Sequence, residues 1–196
     1  GKDNCHYTTK EKQTGTATLD DKSQVQFLSK KNPKMPFFYS RRNLYMIGFL
    51  LAFIVTLLEF IRGRHQNFRV FSDATQFFWQ GISPYTTEFV EAHGRYFLYS
   101  PVFTVLFAPF AYLPAWLGPF AWNLFNYSLF FMAIFTLPQQ FTQQQKCRMF
   151  LFLLLILGQS LLSFQYNITV AYLFLFAYTL LEKDRGFLAV LLIMIS

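Results

Sequence analysis

Long apolar stretches alternate with polar segments over most of this chain, and their lengths predict helices that cross a membrane. The first stretch, residues 44–61, carries no charge before Glu59. At about 1.5 Å per residue, a helix over this stretch nearly spans a bilayer core of about 30 Å. A second stretch, residues 117–137, is slightly longer and can also cross. We predict a crossing helix for each.

Two further stretches do not have the length of a single crossing. Residues 101–113 are apolar but too few for a full crossing and are bracketed by prolines, which favours a re-entrant or short segment. Residues 149–181 are too many for one crossing, and polar residues interrupt them. We predict two helices over 149–164 and 168–181. A last crossing, 187–196, is cut off, so we interpret the chain as an N-terminal fragment.

The segment between the first crossing and the short apolar stretch 101–113, residues 62–100, is a long polar and aromatic loop. Loops of this length are uncommon in compact proteins unless they have a function. Apolar side chains recur at helical spacing over Val70–Gln80. We therefore predict a short amphipathic helix that lies on the membrane surface, with Asp73 near its N-terminus.

The distribution of positive charge predicts the orientation. Nine of the 17 Lys and Arg residues precede Asn43, and Lys146 and Arg148 follow the second crossing. Because such residues concentrate in cytoplasmic loops, we expect a cytoplasmic N-terminus and an outer loop 62–100, with 159–167 on the same outer side. In the alternative, residues 101–113 cross fully and the 159–167 turn is cytoplasmic.

Composition agrees with a membrane protein. The chain is 54% hydrophobic and only 14% charged, whereas soluble domains have about 25% charged residues. Most of the net charge of +7 comes from residues 1–42, a polar basic tail that we predict to be disordered. No basic stripe with interleaved aromatics indicates nucleic-acid binding, and neither the two cysteines nor the three histidines have metal-ligand spacing. The predicted fold class, for residues 43–196, is an all-α polytopic membrane protein.

Several short motifs follow one another in a fixed order from residue 67 onwards. They are Asn67-Phe-x-Val-Phe-x-x-Ala74, Gly81-x-x-x-Tyr85, Tyr99-x-Pro101, Pro109-x-Ala-x-Leu-Pro114, Trp122-Asn123 and Gln165-x-Asn167. In order and spacing they resemble the N-terminal half of the GT-C mannosyltransferases of glycosyltransferase family 87, in particular Bacteroidetes-like bacterial members. The resemblance covers about residues 60–196.

The resemblance implies a GT-C-like helical bundle, multi-pass in a bacterial inner membrane. Such an enzyme transfers a hexose, commonly mannose, from a polyprenyl-phosphate donor to a glycan or glycolipid acceptor outside the cytoplasm. Its partners are thus the lipid bilayer, the lipid-linked donor and the acceptor. It implies no cofactor, while a metal requirement and the oligomeric state stay open.

The resemblance also implies an essential acid in the first outer loop, where this sequence departs from the pattern. The usual motif opens with Asp, but this chain has Asn67, which cannot take a proton from an acceptor hydroxyl. Asp73, six residues later, is therefore our candidate base. The alternatives are Glu59, Glu88 or Glu91, loss of the chemistry, or an Asp73 that only favours the helix dipole.

Other polar side chains are candidates for binding the donor or the acceptor. The loop arginines can hold a phosphate through paired hydrogen bonds, or contact lipid headgroups. Two amides within the apolar stretch 149–181 can line a polar cavity, or join helices. The candidates are Arg62, Arg64, Arg69, Tyr99, Gln165 and Asn167.

Two other functions remain alternatives at this point. A transporter or lipid flippase predicts inverted repeats and charges near the bilayer midplane, and no repeat is visible. A non-catalytic relative of the family is supported by Asn67.

Overall fold

The computed structural model describes residues 40–196, which form eight helices and no strand. The helices are α1 (Arg41–Ile61), α2 (Gln66–Trp79), α3 (Thr87–His93), α4 (Pro101–Ala111), α5 (Gly118–Phe135), α6 (Gln143–Leu162), α7 (Asn167–Leu181) and α8 (Gly186–Ile195). The predicted all-α class is confirmed. The prediction of a disordered tail concerns residues that, except for the last three, lie outside the described part.

Helices α1 and α5 run antiparallel. Near one end, the Tyr127 hydroxyl donates to the carbonyl of Tyr45 at 2.9 Å. Near the other, the rings of Phe60 and Phe120 lie 5.7 Å apart. Helix α1 therefore ends beside the start of α5. We call this the loop end of the bundle.

The remaining long helices alternate in the same way. At the opposite end, which we call the tail end, the ammonium group of Lys146 at the start of α6 donates to the carbonyl of Leu137 after α5. Helix α7 begins at the loop end, and α8 returns there, since the Tyr166 hydroxyl donates to the Ile195 carbonyl at 3.2 Å. The loop end thus collects residues 62–100, the turn 163–166 and the end of α8.

Buried amides join these helices. Asn123 donates to the Thr56 hydroxyl of α1 at 2.9 Å and to the Leu161 carbonyl of α6 at 3.0 Å. Asn126 accepts from the Thr169 hydroxyl of α7. Because an unpaired amide is costly in an apolar interior, these bonds set the register of the helices.

The outer surface has the character expected of a membrane protein. Helices α1 and α6 are long and apolar enough to cross a bilayer, judged by length and composition. Large apolar side chains of α1 between Met46 and Ile61 are exposed. An apolar surface this continuous is explained by contact with lipid.

The long loop is mostly helical. Phe68 and Phe71 of α2 pack against Phe107 of α4, with ring centroids 5.3 and 5.6 Å apart. Helix α2 begins at Gln66, four residues before the predicted start, because its apolar face already includes Phe68. Asp73 therefore lies in mid-helix, and the explanation through the helix dipole, which acts within the first turn, was wrong.

Candidate functional site

Two neighbouring cavities at the loop end share the first turns of α2. The first, which we call the polar cavity, has a volume of about 330 Å³ and is lined by Glu59, Arg64, Gln66, Asn67, Arg95, Leu162 and Ser163. The second, which we call the α2–α4 groove, has a volume of about 450 Å³. It is lined by Phe60, His65, Phe68, Arg69, Ser72, Asp73, Gln76, Ala111, Leu113 and Ala115. The candidate functional residues are divided between these two cavities.

Asn67 joins three parts of the chain at the polar cavity. Its amide nitrogen donates to the Ser163 carbonyl after α6 at 2.7 Å. Its amide oxygen accepts from Arg95 at 2.5 Å, and the same guanidinium donates to Gln66 at 3.2 Å. Both halves of the amide are used, and an Asp could not donate to the Ser163 carbonyl. Asn67 acts here as a structural link.

The three predicted loop arginines do not form one group. Arg62 pairs with Glu59 at 3.1 Å, where the carboxylate is only 7% exposed. Arg64 lines the polar cavity, while Arg69 lines the groove. With Arg95, the polar cavity holds two arginines beside a carboxylate that already has a cationic partner.

Asp73 is paired with a histidine. Its Oδ2 lies 2.9 Å from Nε2 of His93, and its side chain is 41% exposed. Nδ1 of His93 lies 2.8 Å from the Phe89 carbonyl, and the imidazole stacks on the Phe89 ring with centroids 4.2 Å apart. Contacts at both ring nitrogens and at one face of the ring thus hold His93 in place.

These contacts restrict where protons lie. A carbonyl only accepts, so Nδ1 of His93 must carry a proton. The contact between Nε2 and Asp73 is then a hydrogen bond only if a proton lies between the two atoms, on the imidazole or on the carboxyl. The contact with His93 therefore holds the carboxyl group of Asp73 in place.

His65 is a second histidine at the site and lines the α2–α4 groove. Arg69 donates through Nε to Nε2 of His65 at 3.2 Å, so this nitrogen carries no proton and Nδ1 does. Nδ1 is buried and has no hydrogen-bond partner among the described residues. Burial, and to a smaller degree the Arg69 charge, lowers the pKa of His65, which agrees with a neutral ring.

Local structure explains how α3 and the residues after it reach Asp73 and Asn67. The Thr86 hydroxyl caps the helix by accepting from the Phe89 amide at 3.3 Å. Gly94 ends it with a φ of +66°, a left-handed conformation that glycine adopts without strain. His93, the last residue of α3, contacts Asp73, and Arg95, which follows Gly94, contacts Asn67.

Other predicted residues lie outside the two cavities. Tyr99 packs against Phe71 and Phe103, with centroids 5.1 and 5.0 Å away, and burial raises the pKa of its hydroxyl. Asn167 donates to Gln165 at 3.1 Å in the turn between α6 and α7. This turn reaches the site through the Ser163 carbonyl.

The alternative acids Glu88 and Glu91 are exposed on α3 and line neither cavity. Within residues 40–196, no group of three or more His, Cys, Asp or Glu side chains is placed to hold a metal ion.

The sequence patterns did not identify His65, His93 or Arg95 as site residues. His93 is 20 residues from Asp73, and Arg95 is 28 residues from Asn67. Only the turn between α2 and α3 brings these pairs together, and no local spacing pattern in the sequence predicts these contacts.

Comparison with known proteins gives one match. Residues 97–196, just over half of the chain, match the sequence model described as Glycosyltransferase family 87. No curated protein and no solved structure matches the chain. The matched region contains α4 to α8, whereas Glu59, Asn67 and Asp73 precede it.

Proposed function

The chain belongs to glycosyltransferase family 87, and on this premise we propose that it transfers a hexose, first of all mannose, from a polyprenyl-phosphate donor. The acceptor is a hydroxyl of a glycan or glycolipid at the outer face of a bacterial inner membrane. The observation that carries the proposal is an anchored carboxylate, Asp73, in a groove beside a cavity that holds Arg64 and Arg95.

The reaction assigns a role to each cavity. The acceptor oxygen forms a bond to the anomeric carbon of the donor while the bond from that carbon to the phosphate oxygen breaks. The electron pair of the broken bond leaves with polyprenyl phosphate, and the acceptor proton passes to Asp73. Arg64 and Arg95 face the phosphate, whose charge increases as it leaves.

Asp73 is preferred to Glu59 as the base because of access. The Glu59 carboxylate is almost fully buried and ion-paired with Arg62. Asp73 has an exposed fraction that an acceptor can reach, and its geometry is held by His93. In this proposal Glu59 has a structural role through its ion pair with Arg62.

The proposed orientation places the loop end outside. Basic residues gather at the other end of the described helices, namely Arg41, Arg42, Lys146, Arg148, Lys183 and Arg185. Helix α4 has 11 residues, about 16 Å long, and is too short to cross a bilayer of about 30 Å. Because α1 ends where α5 begins, residues 101–113 need not cross, which favours the re-entrant alternative.

A transfer assay tests the proposal. Membranes containing the protein receive mannosyl-phosphoryl or glucosyl-phosphoryl polyprenol with a labelled sugar, and the covalent product is measured. We expect Asp73→Asn to reduce transfer by about 10²-fold or more, the range for loss of a general base. Asp184→Asn, an exposed Asp at the tail end, is the matched control and should transfer normally.

Equal transfer by the Asp73→Asn protein and the wild type would remove Asp73 from the reaction. Movement of the labelled donor across the membrane without a covalent product would instead support the flippase alternative.

A further inference from the structure

A further cavity lies at the tail end, between the beginning of α1 and the second half of α5. Its volume of about 540 Å³ exceeds that of either loop-end cavity. It is lined by Arg41, Arg42, Tyr45, Ser128, Phe131 and Met132. Because it lies at the other end of the bundle from Asp73, the proposed sugar transfer does not use it.

The lining of this tail-end cavity carries two positive charges and no negative one. Arg41 and Arg42 are exposed, and neither forms an ion pair with a residue between 40 and 196. The described carboxylates at this end, Glu182 and Asp184, belong to the turn after α7 and do not line the cavity. Guanidinium groups bind phosphate through paired hydrogen bonds. The charge of the cavity therefore favours an anion such as a phosphate group.

The two hydroxyls of the cavity wall already donate within the protein. The Ser128 hydroxyl donates to the Leu124 carbonyl at 2.8 Å. Since each hydroxyl has one proton, the contact of 3.1 Å between Tyr45 and Ser128 is donated by Tyr45. Neither hydroxyl has a proton left for a ligand. Arg41 and Arg42 are thus the side chains of the lining that can donate to an anion.

Contacts between α1 and α5 hold the arginine side of the cavity in place. The guanidinium carbon of Arg41 lies 5.5 Å from the centre of the Phe135 ring, within the range of a cation–π interaction. Tyr45, one turn further along α1, packs against Phe131 with ring centroids 5.1 Å apart. Arg41 is therefore positioned beside the cavity by packing.

Apolar surface continues from the cavity along α5. Met132 lines the cavity and is 42% exposed, and Phe125, seven residues earlier on the same side of the helix, is 45% exposed. Seven residues correspond to about 10 Å towards the middle of the bundle. Two unpaired arginines at one end of an exposed apolar strip fit a lipid with an anionic headgroup better than a free anion.

We propose that the tail-end cavity binds an anionic phospholipid, with the phosphate on Arg41 and Arg42 and an acyl chain along Met132 and Phe125. Basic pockets between helices at a membrane surface bind lipids of this class. The inference requires that the helices lie in a bilayer and does not depend on the sugar transfer. Its test can therefore fail while the proposed function stands, and the reverse.

Charge-matched variants separate a defined site from general attraction between a basic protein and anionic lipid. Arg41→Gln/Arg42→Gln removes the two cations of the cavity. Lys183→Gln/Arg185→Gln removes two exposed cations of the same end that do not line it. Arg41→Lys/Arg42→Lys keeps the charge but loses the paired hydrogen-bond geometry of the guanidinium groups.

The probe is dioleoyl phosphatidylglycerol, titrated into the detergent-solubilised protein, with bound lipid measured by native mass spectrometry. We expect saturable binding that is about tenfold weaker in Arg41→Gln/Arg42→Gln and within about twofold of wild type in Lys183→Gln/Arg185→Gln. Arg41→Lys/Arg42→Lys should bind more weakly than wild type and more tightly than the glutamine pair at the same positions. Dioleoyl phosphatidylcholine should bind more weakly than phosphatidylglycerol, and glycerol 3-phosphate, which has no acyl chain, should not displace the lipid.

Equal weakening by the two glutamine pairs would show general attraction and overturn the inference. Equal binding of the two lipids would do the same by removing the role of charge. Displacement by glycerol 3-phosphate would assign the cavity to a free anion. Absence of saturable binding, the result expected if another part of the chain fills the cavity, would also contradict the proposal.

Discussion

Replacing Asn67 by Asp tests whether this position is a structural link or the place of the reacting acid. The substitution changes one atom, since the amide nitrogen becomes an oxygen. That nitrogen donates to the Ser163 carbonyl at 2.7 Å, so the new carboxylate oxygen would face another acceptor. The other contact, from Arg95 at 2.5 Å, would become an ion pair.

The two effects have opposite signs and different sizes. Loss of the neutral hydrogen bond to Ser163 costs about 0.5–1.5 kcal/mol, and repulsion between the two oxygens adds to it. Because Arg95 is exposed, its ion pair returns only about 0.2–1 kcal/mol. We expect Asn67→Asp to lower the free energy of unfolding by about 1 kcal/mol, which for a chain of this size corresponds to about 2–4 °C in Tm.

The assay combines thermal unfolding with sugar transfer. Asn67→Asp should melt lower than wild type, and the double variant Asn67→Asp/Asp73→Asn should transfer no more sugar than Asp73→Asn alone. A rise in Tm would refute the structural reasoning. Restored transfer in the double variant would show that an acid at position 67 performs the chemistry.

Three further predictions concern pH, packing and topology. The pKa of His65 is lowered from its ordinary value of 6.5, so the unfolded chain binds a proton at this residue more readily than the folded chain does. Thermal stability should therefore be greatest above pH 6.5 and should decrease below it, and this decrease should be less steep in His65→Asn. Gly48→Ala should lower the free energy of unfolding by about 1–3 kcal/mol in chemical denaturation, because its Cβ would lie 2.3 Å from the Tyr127 hydroxyl oxygen. Without the native cysteines, Ser83→Cys should react with an impermeant maleimide from outside intact cells and Gln139→Cys only after lysis; the reverse pattern would invert the proposed topology.

The helical class could be predicted because lipid imposes a simple rule on sequence. Backbone groups must be satisfied within each segment, so long apolar runs become helices, as in α1 and α6. The beginning of α2 was harder to predict. Polar residues at 66 and 67 concealed a helix whose buried face starts at Phe68, and burial against α4 decides its length.

The site was predictable only in part because its side chains interact over long separations in sequence. Asp73 and Asn67 could be selected from their residue types and from the motif. Their partners, His93 and Arg95, are placed by the Thr86 cap and the left-handed Gly94, which set the direction of the chain after α3. The separation of Arg62 from the other loop arginines likewise depends on its ion pair with the buried Glu59. The acidic residue type of Glu59 does not predict that burial.

The central claim, that Asp73 is the base of a sugar transfer, is tested most directly by chemical rescue. Asp73→Ala removes the carboxylate and leaves space in the groove, where added formate can supply one. We predict that this variant is inactive in buffer, regains transfer from mannosyl-phosphoryl polyprenol with increasing formate, and shows saturation. Glu59→Ala should show no response to formate. Transfer by Asp73→Ala at the wild-type rate without formate, or rescue of Glu59→Ala instead, would contradict the account.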